Sequence, residues 1–426
     1  MSTRRWSAVL LGWSCMLWFS AAWGQVLHVE TVPTEDGFQL LKNGAPYQIK
    51  GAGAKEHFEL LEQSGANSIR LWSTNQPNLL DTAWHRDMTV TLGLYVRPER
   101  SGMNYNDEYA VLGQLAHLKE EVLKYKDHPA LLMWGIGNEV DLQYENTKVW
   151  DTVQELARFI HEVDPHHPTM TVLAGIDPAK AFMIRTHCPD IDVLGVNAYG
   201  SIRNLPKNVL RYHWDKPYVV TEWGVNGPFE AQRTSWGAKK EPPGGVKANT
   251  RKNRYLNIIA NDSSRCLGSY CFLWGQKQES TATWHGMFLS DGRPTEAVDA
   301  MHYCWQGEWP AQRSPSIQAM SLNGKNWNVE HIVAPSSALE LALTCSHCDV
   351  AAVVLECQLY PESQSKKMGG DKQKILRALP MEGLVQTPHN ARFLAPKEEG
   401  AYRVFATLQN QHGQTSVANI PFLVQK

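Results

Sequence analysis

The sequence predicts an α/β protein: a (β/α)8 TIM barrel followed by a small C-terminal β-sandwich of Ig-like type. Three observations carry this. Eight short apolar runs alternate with amphipathic helical stretches, the arithmetic of a (β/α)8 barrel. Near Pro310-Ala311-Gln312-Arg313-Ser314-Pro315 the helical period fades and period-two alternation takes over. Two of the eight runs, the fourth and the seventh, end at glutamates, Glu139 and Glu222.

The first segment is a processing signal. Arg4-Arg5 precedes an apolar stretch from Trp6 to Trp23, with small residues Ala21, Ala22 and Gly24 at its end. This is the charged, apolar and small-residue order of a secretory signal. Residues 1–24 are therefore expected to be removed, and the mature protein to be secreted or periplasmic. The run is short for a membrane span, and no other stretch is long and apolar enough for one.

Gly37 to Ile49 follows, with Asn43-Gly44 between two extended segments. That dipeptide is a strong hairpin signal, because both residues tolerate positive φ. The barrel strands are then expected at Tyr47–Gly53, Ser68–Trp72, Thr89–Val96, Leu131–Glu139, Met170–Ala174, Val193–Tyr199, Tyr218–Trp223 and Ser269–Trp274. Helical patterns between them include Lys55–Ser64, Glu108–Tyr125, Thr147–Val163 and Asn249–Ala260. An open doubly wound sheet would call for a dinucleotide fingerprint. Gly51-Ala52-Gly53-Ala54 lacks its third glycine.

The catalytic barrel is accordingly placed at 25–310 and the sandwich at 311–426. Sandwich strands are expected at Ala338–Thr344, Ala351–Leu359, Ala401–Leu408 and Thr415–Val424, with a turn at Gln411-His412-Gly413-Gln414. Tyr402, Val404, Ala406 and Leu408 share one face. Lys366–Lys374 reads as an exposed loop. Trp327 is the only tryptophan of this region, which favours a buttress for the barrel over a glycan-binding module.

Composition narrows the partners. Hydrophobic residues make up 43% and charged residues 20%, as in a globular protein. A net charge of −2 gives no reason to expect nucleic acid or an anionic membrane surface. Sixteen tryptophans are first of all core residues, but some suit flat stacking on a ligand. Cys345-x-x-Cys348 is half of a zinc pattern with no second pair at the right spacing, so a disulfide or buried thiols are expected and no metal. No cofactor is implied.

A carboxylate at the mouth of a barrel strand lies where active sites sit. Two carboxyls in unequal surroundings can serve as a proton donor and an ionised partner, the pair that glycoside cleavage requires. A single glutamate at a strand end would equally suit a cap paired with a surface cation. Two, each in its particular local sequence, point to chemistry.

Those local sequences resemble a known group. Gly137-Asn138-Glu139 on the fourth strand and Thr221-Glu222-Trp223-Gly224 on the seventh are similar to the signatures of glycoside hydrolase clan A, retaining (β/α)8 enzymes that include families 2 and 5. The run from His128 to Glu139 is particularly similar to family 2 barrels. Family 5 enzymes usually carry a histidine near the end of the third strand, where this chain reads Gly93-Leu94-Tyr95-Val96-Arg97-Pro98-Glu99. The resemblance is therefore placed at clan level.

The resemblance implies roles. Glu139 would be the general acid/base and Glu222 the nucleophile, their carboxyls roughly 5–5.5 Å apart. Asn138 would bond the sugar 2-hydroxyl, Arg70 would hold the nucleophile ionised, and Tyr199 would hydrogen-bond it. Trp274 would floor the −1 sugar. Trp72, Trp223, Trp236 and Trp284 could extend that floor, but most of them are better read as packing. The polar segment Asn226–Arg254 would border the cleft or be a solvated insertion. His285 could touch substrate but reads first as a surface-loop histidine.

The function expected is a secreted retaining β-glycosidase acting on a β-linked oligo- or polysaccharide. A transglycosylase with the same site and a non-catalytic carbohydrate-binding barrel are the alternatives.

Overall fold

The computed structural model describes residues 26–349, 351–365, 367 and 370–426; the predicted signal, 1–24, lies outside them. Eight parallel strands close a barrel: β1 Ile49–Ala54, β2 Ser68–Leu71, β3 Thr89–Leu94, β4 Leu131–Asn138, β5 Thr169–Ala174, β6 Val193–Asn197, β7 Tyr218–Trp223 and β8 Cys266–Trp274. β8 pairs with both β7 and β1, which completes the ring. All eight overlap the predicted runs, with ends shifted by at most a few residues. The strands are apolar nearly throughout because helices cover one face and the barrel interior the other.

The helices are α1 Phe58–Gln63, α2 Asn78–Trp84, α3 Glu108–Tyr125, α4 Val149–Val163, α5 Pro178–His187, α6 Leu205–Arg211, α7 Gly244–Arg254 and α8 Glu296–Gln306. Several starts are written in the sequence. Asp107 accepts from the Ala110 amide, and Asp177 accepts from Lys180 ahead of a helix that opens on Pro178. On α4, Trp150, Val153, Leu156, Ala157 and Ile160 fall on one buried stripe. No helix among the described residues is long and apolar enough to cross a membrane.

An antiparallel ribbon, Val29–Thr34, Gly37–Lys42 and Ala45–Pro46, turns at Asn43-Gly44 as the dipeptide predicted. It closes the end of the barrel remote from Glu139 and Glu222. Val29 and Leu40 pack there against Met133, Met170, Val193 and Val219 from the strand starts.

The predicted helix Asn249–Ala260 starts earlier than its periodicity showed. α7 begins at Gly244-Gly245, two residues that read as breakers. They are small because neighbours press on them. A Cβ on Gly244 would lie 2.3 Å from the Glu296 carboxylate, and one on Gly245 would lie 2.5 Å from the Ser316 hydroxyl. The second contact reaches the next unit of the fold.

After α8 the chain builds two antiparallel sheets. Their strands are β9 Ser316–Leu322, β10 Lys325–Asn326, β11 Ile332–Val333, β12 Ala338–Ser346, β13 Val353–Pro361, β14 Val385–Gln386, β15 Asn390–Leu394, β16 Gly400–Asn410 and β17 Thr415–Val424. One sheet runs β10-β9-β12-β15-β14. The other is β11-β17-β16-β13, in which β11 lies parallel to β17. Tyr402, Val404, Ala406 and Leu408 share its inner face and pack on Ile317, Leu341 and Phe393 of the first sheet. Cys345 and Cys348 form a disulfide, and Cys188, Cys266, Cys271, Cys304 and Cys357 are free and buried.

The barrel and sandwich share buried polar contacts. Ser416 donates to Glu296, Asn419 donates to Glu241 at 2.7 Å, and Arg403 donates to the Lys239 carbonyl at 2.7 Å. Such groups are stable out of water only when paired, so these bonds fix where the sandwich sits.

Candidate active site

The strand ends of the barrel deliver Arg70, Trp72, Asn138, Glu139, Asn197, Tyr199 and Glu222 to one mouth. Glu222 lies on β7 just past a register shift after Val220. Such a bulge re-aims the side chains that follow it. Three donors hold its carboxylate. Arg70 of β2 donates to Oε1 at 3.0 Å, the Trp72 indole donates to the same oxygen at 2.8 Å, and the Tyr199 hydroxyl donates to Oε2 at 3.0 Å. Trp72 reaches Glu222 because position 53 has no side chain; a Cβ on Gly53 would lie 2.5 Å from the indole.

Arg70 and Glu222 are 3% and 7% exposed. Breaking a buried pair of this kind by removing one partner costs roughly 3–5 kcal/mol. Two further guanidinium N–H groups go to the Thr221 carbonyl at 2.9 Å and to Asn138 Oδ1 at 2.6 Å. Burial first, and then the charge of Glu222, push the Tyr199 phenol well above its ordinary range. It stays protonated and can only donate to the carboxylate.

Glu139 is held differently. It follows β4 at φ +50°, a conformation that is rare for a residue with a side chain and that concentrates at functional sites. Asp141, two residues on, accepts from the Ala174 amide at 3.0 Å and pairs with Lys180 at 2.6 Å, which pins the turn to β5 and α5. Asn197 donates to the Glu139 carboxyl at 2.8 Å. Burial first, and then the charge of Glu222, raise the Glu139 carboxyl from 4.5 to about 7, against the Asn197 bond that works to lower it. The two carboxyls thus differ in kind.

Asn138 joins the halves of the site. Its Oδ1 accepts from Arg70 and, at 3.2 Å, from Asn197. A guanidinium can only donate, so the oxygen must face Arg70 and the amide NH2 is left for another acceptor.

Glu139, Glu222, Asn138, Asn197, Tyr199 and Trp72 line one cavity of about 630 Å³, within the usual range for small-molecule sites. Phe272, Phe229, Lys277, Glu279 and His285 complete much of its wall. Phe229 is 52% exposed at the rim, with its ring edge-on to Tyr199 at 6.3 Å. The carboxylate of the next residue, Glu230, accepts from the Gly200 and Gly227 amides and fixes that turn.

Five of the six predicted site residues meet here; Trp274 does not. Its indole is fully buried, donates to the His57 carbonyl at 3.2 Å and packs on Phe288 and Trp305. A register shift between Cys271 and Trp274 breaks the two-residue alternation. Phe272 lines the cavity instead.

His285 is also a correction. It is 1% exposed, not on the surface, and packs against Tyr199 and Phe272 at 5.2 and 5.5 Å. Trp72, one of the four read as floor or packing, lines the cavity and donates to Glu222. Trp223 and Trp284 are core residues as read. Asn197 escaped notice, although its place at the end of β6 was a signal. The Asn226–Arg254 segment borders the cavity through Phe229 and Glu230, and Lys247, Arg251 and Arg254 of this segment are buried. Arg251 donates to the His285 carbonyl at 2.9 Å and Arg254 donates to the Gly224 carbonyl at 2.7 Å.

A closed (β/α)8 barrel with this mouth is similar to the glycoside hydrolase barrels of clan A. More narrowly, residues 55–232 match the family described as glycosyl hydrolases family 2, TIM barrel domain. The chain is 26% identical to the β-galactosidase BoGH2A of Bacteroides ovatus over 208 residues, 39% of this chain and 23% of that one. It is 26% identical to a β-glucuronidase of Paenibacillus borealis over 238 residues, 49% of this chain and 38% of that one.

Among solved structures, the family 2 β-galacturonidase of Eisenbergiella tayi bound to galacturonate superposes with a TM-score of 0.51 at 16% identity, over 66% of this chain and 54% of that one. The β-glucuronidase of Bifidobacterium dentium, complexed with coumarin-3-O-glucuronide, gives 0.51 at 18% over 66% and 49%. At these identities the structures share the fold. The chain spans less than half the length of the two curated relatives and about half that of these structures.

Proposed function

We propose that this protein is a secreted retaining β-glycoside hydrolase acting on β-linked oligo- or polysaccharides. The observation that carries the reading is the inequality of Glu139 and Glu222 within one cavity. Glu222 has three donors on its carboxylate, one of them a buried guanidinium. Glu139 has one amide donor and is raised to about 7. Family relatives named as a β-galactosidase and a β-glucuronidase support the β configuration.

In this reading a Glu222 oxygen attacks the anomeric carbon while Glu139 passes its proton to the leaving glycosidic oxygen. The C–O bond to the leaving group breaks and a glycosyl ester to Glu222 forms. Glu139, now ionised, takes a proton from water. The hydroxide oxygen bonds to the anomeric carbon, and the Glu222 ester bond breaks. The free amide NH2 of Asn138 suits the sugar 2-hydroxyl, and Phe272 offers an apolar wall to the C–H face of the ring.

Proton NMR during turnover of an aryl β-glycoside tests the mechanism. The β anomer is expected as the first product, before mutarotation. The α anomer appearing first would overturn a double displacement. Export is part of the same proposal, supported by Arg4-Arg5 and the apolar run to Trp23. The intact mass of the exported chain is expected to correspond to a start at Gln25.

A further inference from the structure

The outer face of the sandwich does not look only into solvent. On β13 the residues Val353, Leu355, Cys357 and Leu359 point into the sandwich core, so Glu356, Gln358 and Tyr360 point out. The register with β16 sets Gln358 opposite Phe405 and Glu356 opposite Thr407. This outward patch faces the barrel segment that follows β8. Between them lies a cavity of about 250 Å³, lined by Gln276, Gln278, Gln358, Tyr360 and Phe405 among others. Gln276 also lines the catalytic cavity, and so do Lys277 and Glu279. The two cavities therefore flank one short segment, 276–281, and meet at Gln276.

We infer that this junction cavity is a distal glycan-binding subsite, which holds sugar units of the substrate remote from the bond being cleaved. The inference rests on the proposed glycosidase reading. Its chemistry points to a neutral polyol. The cations at its wall are already matched: Arg293 pairs with Asp291 at 2.7 Å and with Glu356 at 3.5 Å, and Arg403 pairs with Glu362 at 2.8 Å. Among the described residues an anion finds no spare charge there. The carboxamides of Gln276, Gln278 and Gln358 can each both donate and accept, which suits hydroxyl groups. Tyr360 and Phe405 stand edge-to-face at 5.4 Å and offer ring surface to the apolar face of a pyranose.

The strap that leaves β13 supports the same arrangement. Gln373 Oε1 accepts from the Ser280 amide at 2.9 Å, and Asp371 pairs with Arg100 at 3.1 Å. Gly370 lines the catalytic cavity. The segment read as an exposed loop thus ties the sandwich to the barrel mouth on the side where the two cavities meet.

The test compares substrate lengths. Kinetics are measured on the p-nitrophenyl β-glycoside that the wild type turns over fastest and on the β-linked hexasaccharide of the same sugar. Tyr360→Ala and Phe405→Ala are each expected to raise KM for the hexasaccharide roughly 3–10-fold, the range for one aromatic contact, and to leave kcat/KM for the aryl monosaccharide unchanged. Gln358→Ala, a change at an exposed position, should act in the same direction without risk to the fold. Equal effects on both substrates, or none on either, would overturn the subsite and leave a packing void only.

If the wild type cleaves no glycoside, the glycosidase reading fails separately. Calorimetric titration of the wild type and Phe405→Ala with cello-, laminari- and β-galacto-hexaose then decides the subsite. Binding weakened by the substitution supports it, and no binding or equal binding overturns it.

Discussion

Glu222→Ala is expected to lower kcat on an aryl β-glycoside by roughly 10⁴-fold or more, the scale for removing a nucleophile that acts as part of a unit. The loss should be chemical rather than a loss of substrate binding, because the substitution leaves Asn138, Asn197 and Phe272 in the cavity wall. It also leaves Arg70 buried without its carboxylate, although the guanidinium keeps the Thr221 carbonyl and Asn138. A thermal melt is therefore needed beside the kinetics. Glu222→Gln keeps an acceptor oxygen for Arg70 and Trp72, its NH2 can donate to the Tyr199 hydroxyl oxygen, and it serves as the better-folded companion. A small anion such as azide separates attack from proton transfer. With Glu222→Ala, azide fills the space of the missing carboxylate, attacks the anomeric carbon once and yields the α-glycosyl azide. With Glu139→Ala it enters from the opposite face after the ester forms and yields the β-glycosyl azide. Wild-type turnover by either Glu222 variant would end the assignment.

The barrel was legible because its signals are local. Eight apolar runs and the helices between them carry their own periodicity, and the hairpin announces itself through Asn43-Gly44. Glu139, Glu222, Arg70, Asn138 and Tyr199 each lie at a strand end, and strand ends meet at one mouth; their separate roles were legible only through the resemblance of their motifs to clan A. What escaped depends on geometry that sequence spacing does not encode. The register shift in β8 exchanges Phe272 for Trp274 at the cavity wall. His285 looks like a loop residue until α7 is seen to strap its carbonyl through Arg251. Gly244-Gly245 looks like a break until the sandwich is seen pressing on it. The outward face of β13 and β16 alternates as a solvated strand would, and only the position of the barrel loop gives that face something to look at.

Glu139→Gln is expected to remove the alkaline limb of the pH profile and to lower kcat/KM by about 10²–10⁴-fold on substrates with poor leaving groups, the usual contribution of a general acid. In the wild type, kcat/KM reports the free enzyme, so activity should fall as pH rises through about 7, where Glu139 loses its proton. Burial is the first cause of that raised value and the charge of Glu222 the second. Two consequences follow from the second cause. Once the sugar ester forms, Glu222 carries no charge, so Glu139 becomes a stronger acid and gives up its proton more readily, which is what the base of the next step requires. In Glu222→Gln the same relief is permanent, and titration of Glu139, followed by ¹³C NMR of the labelled carboxyl, should move below about 7. The sign for stability is the reverse of the usual carboxylate. The native state holds this proton between 4.5 and about 7, where the unfolded chain has released it. The contribution of Glu139 to stability is therefore present below 4.5 and is lost as pH rises through about 7. Glu139→Gln should flatten that part of the stability profile. An alkaline limb and a stability profile both unchanged in Glu139→Gln would remove Glu139 from the role of proton donor.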